Sequence, residues 1–179
     1  MTVRLSTKLR DNLAGTTGFA STFANGVIEI YSGAQPATAD SAVTGTLLGT
    51  VTLASGAFTP GVSTNGLTFA AASGGSVSKS GVWSFNGVAV GTAGWFRLKG
   101  NAADAGGVST TLPRMDGSIA VSGADMNLSN ISIAIGAPNT IDTFTWTQPA
   151  QKCGMEHKLI QGGEQYLPFA RSRIKALRA

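Results

Sequence analysis

His157 is the chain's one imidazole and Cys153 its one thiol, set at CxxxH spacing in QKCGMEH. A Ser-His-Asp arrangement would have to use that histidine, yet it falls in a stretch with no strand or helix pattern. Nucleophilic catalysis needs its groups held to within about 0.5 Å on rigid elements. Two ligands without a further Cys or His complete no structural zinc site. SGGSVSKSG at 73–81 puts glycines before Lys79 and Ser80 as a phosphate loop does, but Ser78 stands where that motif needs glycine and no helix follows. Its Ser76-Val-Ser-Lys79 also matches an S-x-x-K string without the partner motifs of that enzyme class, so the segment reads as a polar turn. Asp104, Asp116 and Asp125 are read as loop carboxylates, the kind a hard cation takes, in NAADAGG, RMDGS and SGADMN. The dense alternation of a calcium loop is missing, which leaves turn formation as their role. Trp83, Trp95 and Trp146, with Phe85 and Phe96, could stack on sugar rings, but each lies in a strand pattern where core packing is the default. The sequence therefore predicts no catalytic residue, no metal, no cofactor and no enzyme.

What must position these residues is a body of ordinary domain size. The chain has 179 residues, enough to bury roughly 70% of its unfolded surface without disulfide staples. Charged residues are 12% against a usual share of about 25%, and 42% are hydrophobic, too many for a disordered chain. A single cysteine permits no internal bridge, in keeping with synthesis in a reducing cytoplasm. MTVRLSTKLRDNLAG is charged through Asp11 and leads into no apolar run of signal-peptide length, and no window reaches a membrane-spanning run. A soluble, unprocessed protein with no membrane partner is expected.

Leu5, Leu9 and Leu13 recur at helical spacing over residues 3–14, with Gly15 placed to end the helix. So short a helix is marginal alone, so the leucine stripe needs either the body's own core or a neighbouring subunit. From Val27 the pattern turns to strand: 27–31, 46–53, 67–71, 81–85, 93–99, 118–122, 128–135 and 140–148 are rich in β-branched and aromatic residues. Gly, Pro, Asn and Asp clusters separate them. Ile131, Ile133 and Ile135 alternate with polar or small residues, as do Phe144 and Trp146, so both sets are predicted to line the core. Eight short strands without intervening helices predict an all-β fold, an antiparallel sandwich or jelly-roll-like body, with a short N-terminal helix and an extended basic C-terminal arm. The expected organisation is a helix and arm over 1–26, the body over 27–149 and the arm over 150–179. Pro168 opens a possible basic helix at the end of that arm.

The formal charge of +4 belongs to the two ends, with about +2 over residues 1–14, −2 over 15–151 and +4 over 152–179. Basic ends on a near-neutral body suit docking on an acidic surface. A groove for specific nucleic acid would need Arg and Lys on the β body, where they are nearly absent.

The block IEIYSGAQPATADSAVTGTLLGTVTL, followed by GLTFAAASGGSVSKSGVWSFNGVAVGTAGWFRLKGNAADAGG and TTLPRMDGSIAVSGADMNLSN, resembles small structural proteins of tailed-bacteriophage virions. The resemblance covers roughly residues 27–149. It rests on the IEIYSG strand and turn, the QPATAD turn, the GW-F-R strand at 94–97 and the LPRMDGS loop at 112–118. It implies a virion protein, made in the host cytoplasm and assembled as a homo-oligomer on the major capsid protein or other virion proteins. A capsid decoration or cement protein is the leading expectation. Collar, head-tail or tail-associated subunits come next, and a carbohydrate-binding host-contact module after them. No catalytic motif carries over. The expected partner contacts are Leu5, Leu9 and Leu13 at the N-terminus, and Phe169, Arg171, Arg173, Ile174, Lys175 and Leu177 as a C-terminal clamp.

Overall fold

Alternation along Val27–Ser32 and Gly91–Lys99 sends one set of side chains, Ile28, Ile30, Phe96 and Leu98, to one face, where all are buried. A computed structural model describes residues 3–148, and these two strands are neighbours at the centre of its larger sheet. A division after Trp146 separates this body from residues 147–179.

In chain order the elements are β1 (Arg4–Leu5), α1 (Thr7–Ala14), α2 (Phe19–Phe23), β2 (Val27–Ser32), β3 (Leu47–Leu53), β4 (Thr68–Phe69), β5 (Ser76–Ser80) and β6 (Trp83–Asn86). They continue as β7 (Gly91–Lys99), β8 (Arg114–Ala120), β9 (Met126–Asn127), β10 (Ser132–Ile133), β11 (Pro138–Ile141) and β12 (Thr145–Thr147). The larger sheet runs β1-β8-β7-β2-β3-β6-β11, with β10 added beside β7 and β9 beside β8. Its pairings are antiparallel except β8 with β9. The smaller sheet runs β12-β5-β4. The fold is all-β with short N-terminal helices, arranged like a sandwich.

An aromatic cluster joins the layers. Phe69 of β4 meets Trp83 of β6 edge-on at 5.3 Å between centroids, Phe144 lies 5.2 Å from Trp83, and Trp146 stacks on Phe19 of α2 at 4.8 Å. Two glycines let rings lie flat on the larger sheet. A Cβ on Gly49 would come within 2.1 Å of the Phe85 ring, and one on Gly117 within 2.5 Å of Phe96.

The strand pattern holds at the centre and shifts at the margins. The N-terminal helix starts later than its periodicity suggests, because Arg4 and Leu5 pair with Asp116 and Met115 of β8 before the chain turns into α1. The Ser-rich 73–81 segment is a hairpin turn leading into strand β5, with Gly74 and Gly75 in the left-handed region and Val77 buried. The segment 128–135 yields only the two residues of β10, and Ile135 is 69% exposed, against its expected core role. Residues 140–148 divide into β11 and β12, which belong to different sheets, so the break at 142–144 carries the chain from one layer to the other.

One hydroxyl ties the N-terminus down. Ser6 is fully buried, and its Oγ accepts from the amides of Leu9 and Arg114 while donating to the Leu112 carbonyl at 3.0 Å. It is at once the N-cap of α1 and the clasp between the helix and β8. Ser6→Ala leaves two buried amides without their acceptor, and a loss of about 2 kcal/mol in urea unfolding is expected. Ser6→Thr, which keeps the oxygen, should lose less.

Candidate functional site

The face of the larger sheet opposite the aromatic core is built from charge. Glu29 and Tyr31 of β2, Trp95, Arg97 and Lys99 of β7, and Arg114 and Asp116 of β8 alternate with the core residues and so share this face. The Arg97 guanidinium meets Asp116 with two bonds of 2.7 Å, both side chains fully buried. Arg114 grips Asp104 the same way, at 2.6 and 2.7 Å. Lys99 Nζ lies 2.6 Å from Glu29 Oε2, which also accepts from the Tyr31 hydroxyl at 2.5 Å. Tyr31 stacks on Trp95 at 4.6 Å, with the Arg97 guanidinium 5.5 Å from the Trp95 ring.

Loops roof this layer and are bonded into it. Arg97 Nη1 donates to the Ser41 carbonyl, Arg114 Nη1 to that of Gly107 and Lys99 to that of Asp104. The loops hold one another through the Val43 amide on Gly106 and the Ser109 amide on Asp40. Asp40 in turn accepts from the Thr7 amide and hydroxyl, placing a carboxylate at the start of α1.

These environments shift proton affinities in different directions. Burial pushes the Tyr31 phenol far up, reinforced by the Glu29 hydrogen bond and charge, so the hydroxyl stays a donor. Burial would raise Asp104, but the hydrogen bonds from Arg114 and the Gly106 amide and the charges of Lys99 and Arg114 prevail, leaving its carboxyl below the ordinary 3.8. A depressed carboxyl contributes stability that is full above its unfolded value and is lost as pH falls through the folded one. The Tm gap between wild type and Asp104→Asn should therefore be widest near neutral pH and close below about pH 3.8. A gap that is the same at both ends of the titration would contradict this.

A cavity of about 370 Å³ borders this layer, with Glu29, Lys99 and Thr50 at its base, Phe58 and Pro60 on its wall and Ala57 exposed at its mouth. Elsewhere the body shows an aliphatic rim. The turns 86–91 and 133–138 lie side by side through bonds from the Gly87 amide to Ala137 and from the Gly136 amide to Gly87. They present Val88, Val90 and Ile135 at 58, 74 and 69% exposure, and neither turn contains a charged residue.

The residues singled out in the sequence fall as follows. Leu9 is fully buried in the body's own core and Leu5 and Leu13 pack against it, so the leucine stripe takes the core as its partner, and Leu9 has no surface left for a neighbouring subunit. Phe169, Arg171, Arg173, Ile174, Lys175 and Leu177, with Cys153 and His157, lie outside the described residues. Trp83 and Trp95 are fully buried and Trp146 is half-buried against Phe19, so no tryptophan platform for sugar exists on the body. Asp116 sits in a strand, not a loop, and is bound to Arg97, while Asp104 serves Arg114 and Asp125 accepts from the Ser118 amide and hydroxyl. Among the described residues no cluster of His, Cys, Asp or Glu is arranged to hold a metal. No described helix is long and apolar enough to cross a membrane.

The missed feature is the ionic layer, most of whose residues stand in four separate segments, with Lys99 and Asp104 between the last two. IEIYSG holds Glu29 and Tyr31, QPATAD holds Asp40, GW-F-R holds Arg97, and LPRMDGS holds Arg114 and Asp116. These segments build most of the charged layer and help to pin its roof. No family model, curated protein or solved structure matches the chain.

Proposed function

We propose that this chain is a structural subunit of a tailed-bacteriophage virion, a capsid decoration or cement protein that binds the major capsid lattice and stabilises the particle. The resemblance of the four motifs points to the particle. The aliphatic rim supports the docking role: Val88, Val90 and Ile135 stand exposed on two mutually bonded turns without charge. Such a patch can seat on a protein surface without stripping water from an ion. The body behind it spends its ion pairs internally, as a rigid scaffold would, and offers no catalytic constellation among the described residues. Many weak contacts repeated over a lattice would supply the stabilisation. The basic segment at 152–179 would add contacts to neighbouring capsomers, and subunits would associate with one another on the particle.

Copy number in purified particles, measured by quantitative mass spectrometry against the major capsid protein with a cryo-EM map, tests the reading. Hundreds of copies over capsomer junctions are expected. A dozen or so at the neck or tail would move the protein to the connector or tail apparatus, and absence from particles would overturn the proposal. Val90→Asp with Ile135→Asp should abolish particle binding at unchanged Tm.

A further inference from the structure

We infer that the cavity over the Glu29–Lys99 pair is a binding site for a hexose-sized polyol, such as one sugar unit of a glycan. Three observations carry this. First, the charge around the cavity is already paired: Lys99 and Glu29 are 2.6 Å apart, with side chains 5% and 16% exposed, and Asp104, the third charged residue of the lining, is held by Arg114. An ionic ligand would add an unpaired charge to this site, so a neutral one is favoured.

Second, the base retains unused hydrogen-bonding capacity of both kinds. Lys99 and Tyr31 both address Glu29 Oε2, leaving Oε1 with no partner among the described residues. Lys99 gives one further N–H to the Asp104 carbonyl, and an ammonium has three. Thr50, opposite Glu29 on β3, has a hydroxyl with no partner among the described residues. An acceptor, a donor and a hydroxyl that is either thus converge, and a pair of neighbouring hydroxyls, each both donor and acceptor, satisfies all three. A carboxylate or phosphate ligand would meet Glu29 with like charge.

Third, the size and wall fit. The cavity, about 370 Å³, lies within the range of small-molecule sites, and Phe58 with Pro60 gives the apolar wall on which the C–H face of a sugar ring can rest. This site is independent of the tryptophans, and it stands or falls separately from the virion role, which concerns the opposite resource of uncharged surface.

The experiment is NMR chemical-shift titration of the full chain with glucose, galactose, N-acetylglucosamine and rhamnose, with acetate and glycinamide as probes of the carboxylate and amide alternatives. At least one sugar should give saturable shifts at Thr50, Ala57 and Lys99, with acetate giving none. Ala57→Trp, at the exposed mouth, should abolish them, and Thr50→Val should weaken binding about tenfold while both variants keep the wild-type Tm. No saturable shift with any of the sugars, shifts that survive Ala57→Trp, or stronger binding of acetate or glycinamide would overturn the proposal.

Discussion

Asp116→Ala is expected to cost about 3–5 kcal/mol of folding stability, enough to unfold much of a marginal domain, read as a drop in the urea midpoint with an unchanged slope. The substitution strands the Arg97 guanidinium, fully buried and placed to donate two bonds to that carboxylate. The pair itself is not where net stability comes from. Burial pushes the Asp116 carboxyl above its ordinary range even with Arg97 hydrogen-bonded to it and the Arg97, Arg114 and Arg4 charges pulling it down. Desolvation thus outweighs the attraction, and the double variant Arg97→Met with Asp116→Leu should return to within about 1 kcal/mol of wild type. What the double variant should lose is the tether from Arg97 Nη1 to the Ser41 carbonyl, seen as faster amide exchange in residues 33–46. A loss below about 1 kcal/mol for the single variant would mean that the layer is wet and not load-carrying.

Trp83→Ala should cost a further large amount, about 3–5 kcal/mol, for a different reason. The indole is fully buried, donates from Nε1 to the Ser80 carbonyl at 3.1 Å, and meets Phe69 and Phe144. Removing it opens a void where the two layers meet, and the smaller sheet has short strands with few other ties. Trp83→Phe keeps most of the volume and should lose markedly less. If the two variants were equally destabilised, the hydrogen bond and not the filled volume would be the main contribution.

The fold was legible where the apolar residues alternate and illegible where charge does the packing. Residues 27–31 and 95–99 announce strands because Ile28, Ile30, Phe96 and Leu98 face the core. The start of β8 was invisible, because Arg114 and Asp116 read as loop residues until their partners, Asp104 and Arg97, are known to lie across the sheet or in its roof. No local pattern distinguishes a buried, paired arginine from a solvated one; the pairing is set by topology. Ser76–Ser80 failed for a related reason, since only Val77 of that strand is buried and a serine-rich edge has almost no hydrophobic signal. Ile135 erred in the other direction: periodicity placed it inside, but the chain turns at Gly136, whose left-handed backbone ends the alternation. The cavity could not have been found from sequence at all, since Glu29, Thr50, Phe58 and Lys99 are joined only by strand order.

The three ion pairs have a kinetic consequence. They withdraw six of the fourteen charged side chains among the described residues, and the other eight divide evenly in sign, so the body projects little net field into solvent, and ions in the buffer have little to screen. The rim itself therefore adds no steering to an encounter, and its contribution proceeds at the roughly 10⁵–10⁶ M⁻¹s⁻¹ of neutral surfaces. Ionic strength should barely alter that rate, and the speed of assembly would follow the number of copies present. Any salt dependence measured for the whole chain reports on the basic residues at its two ends.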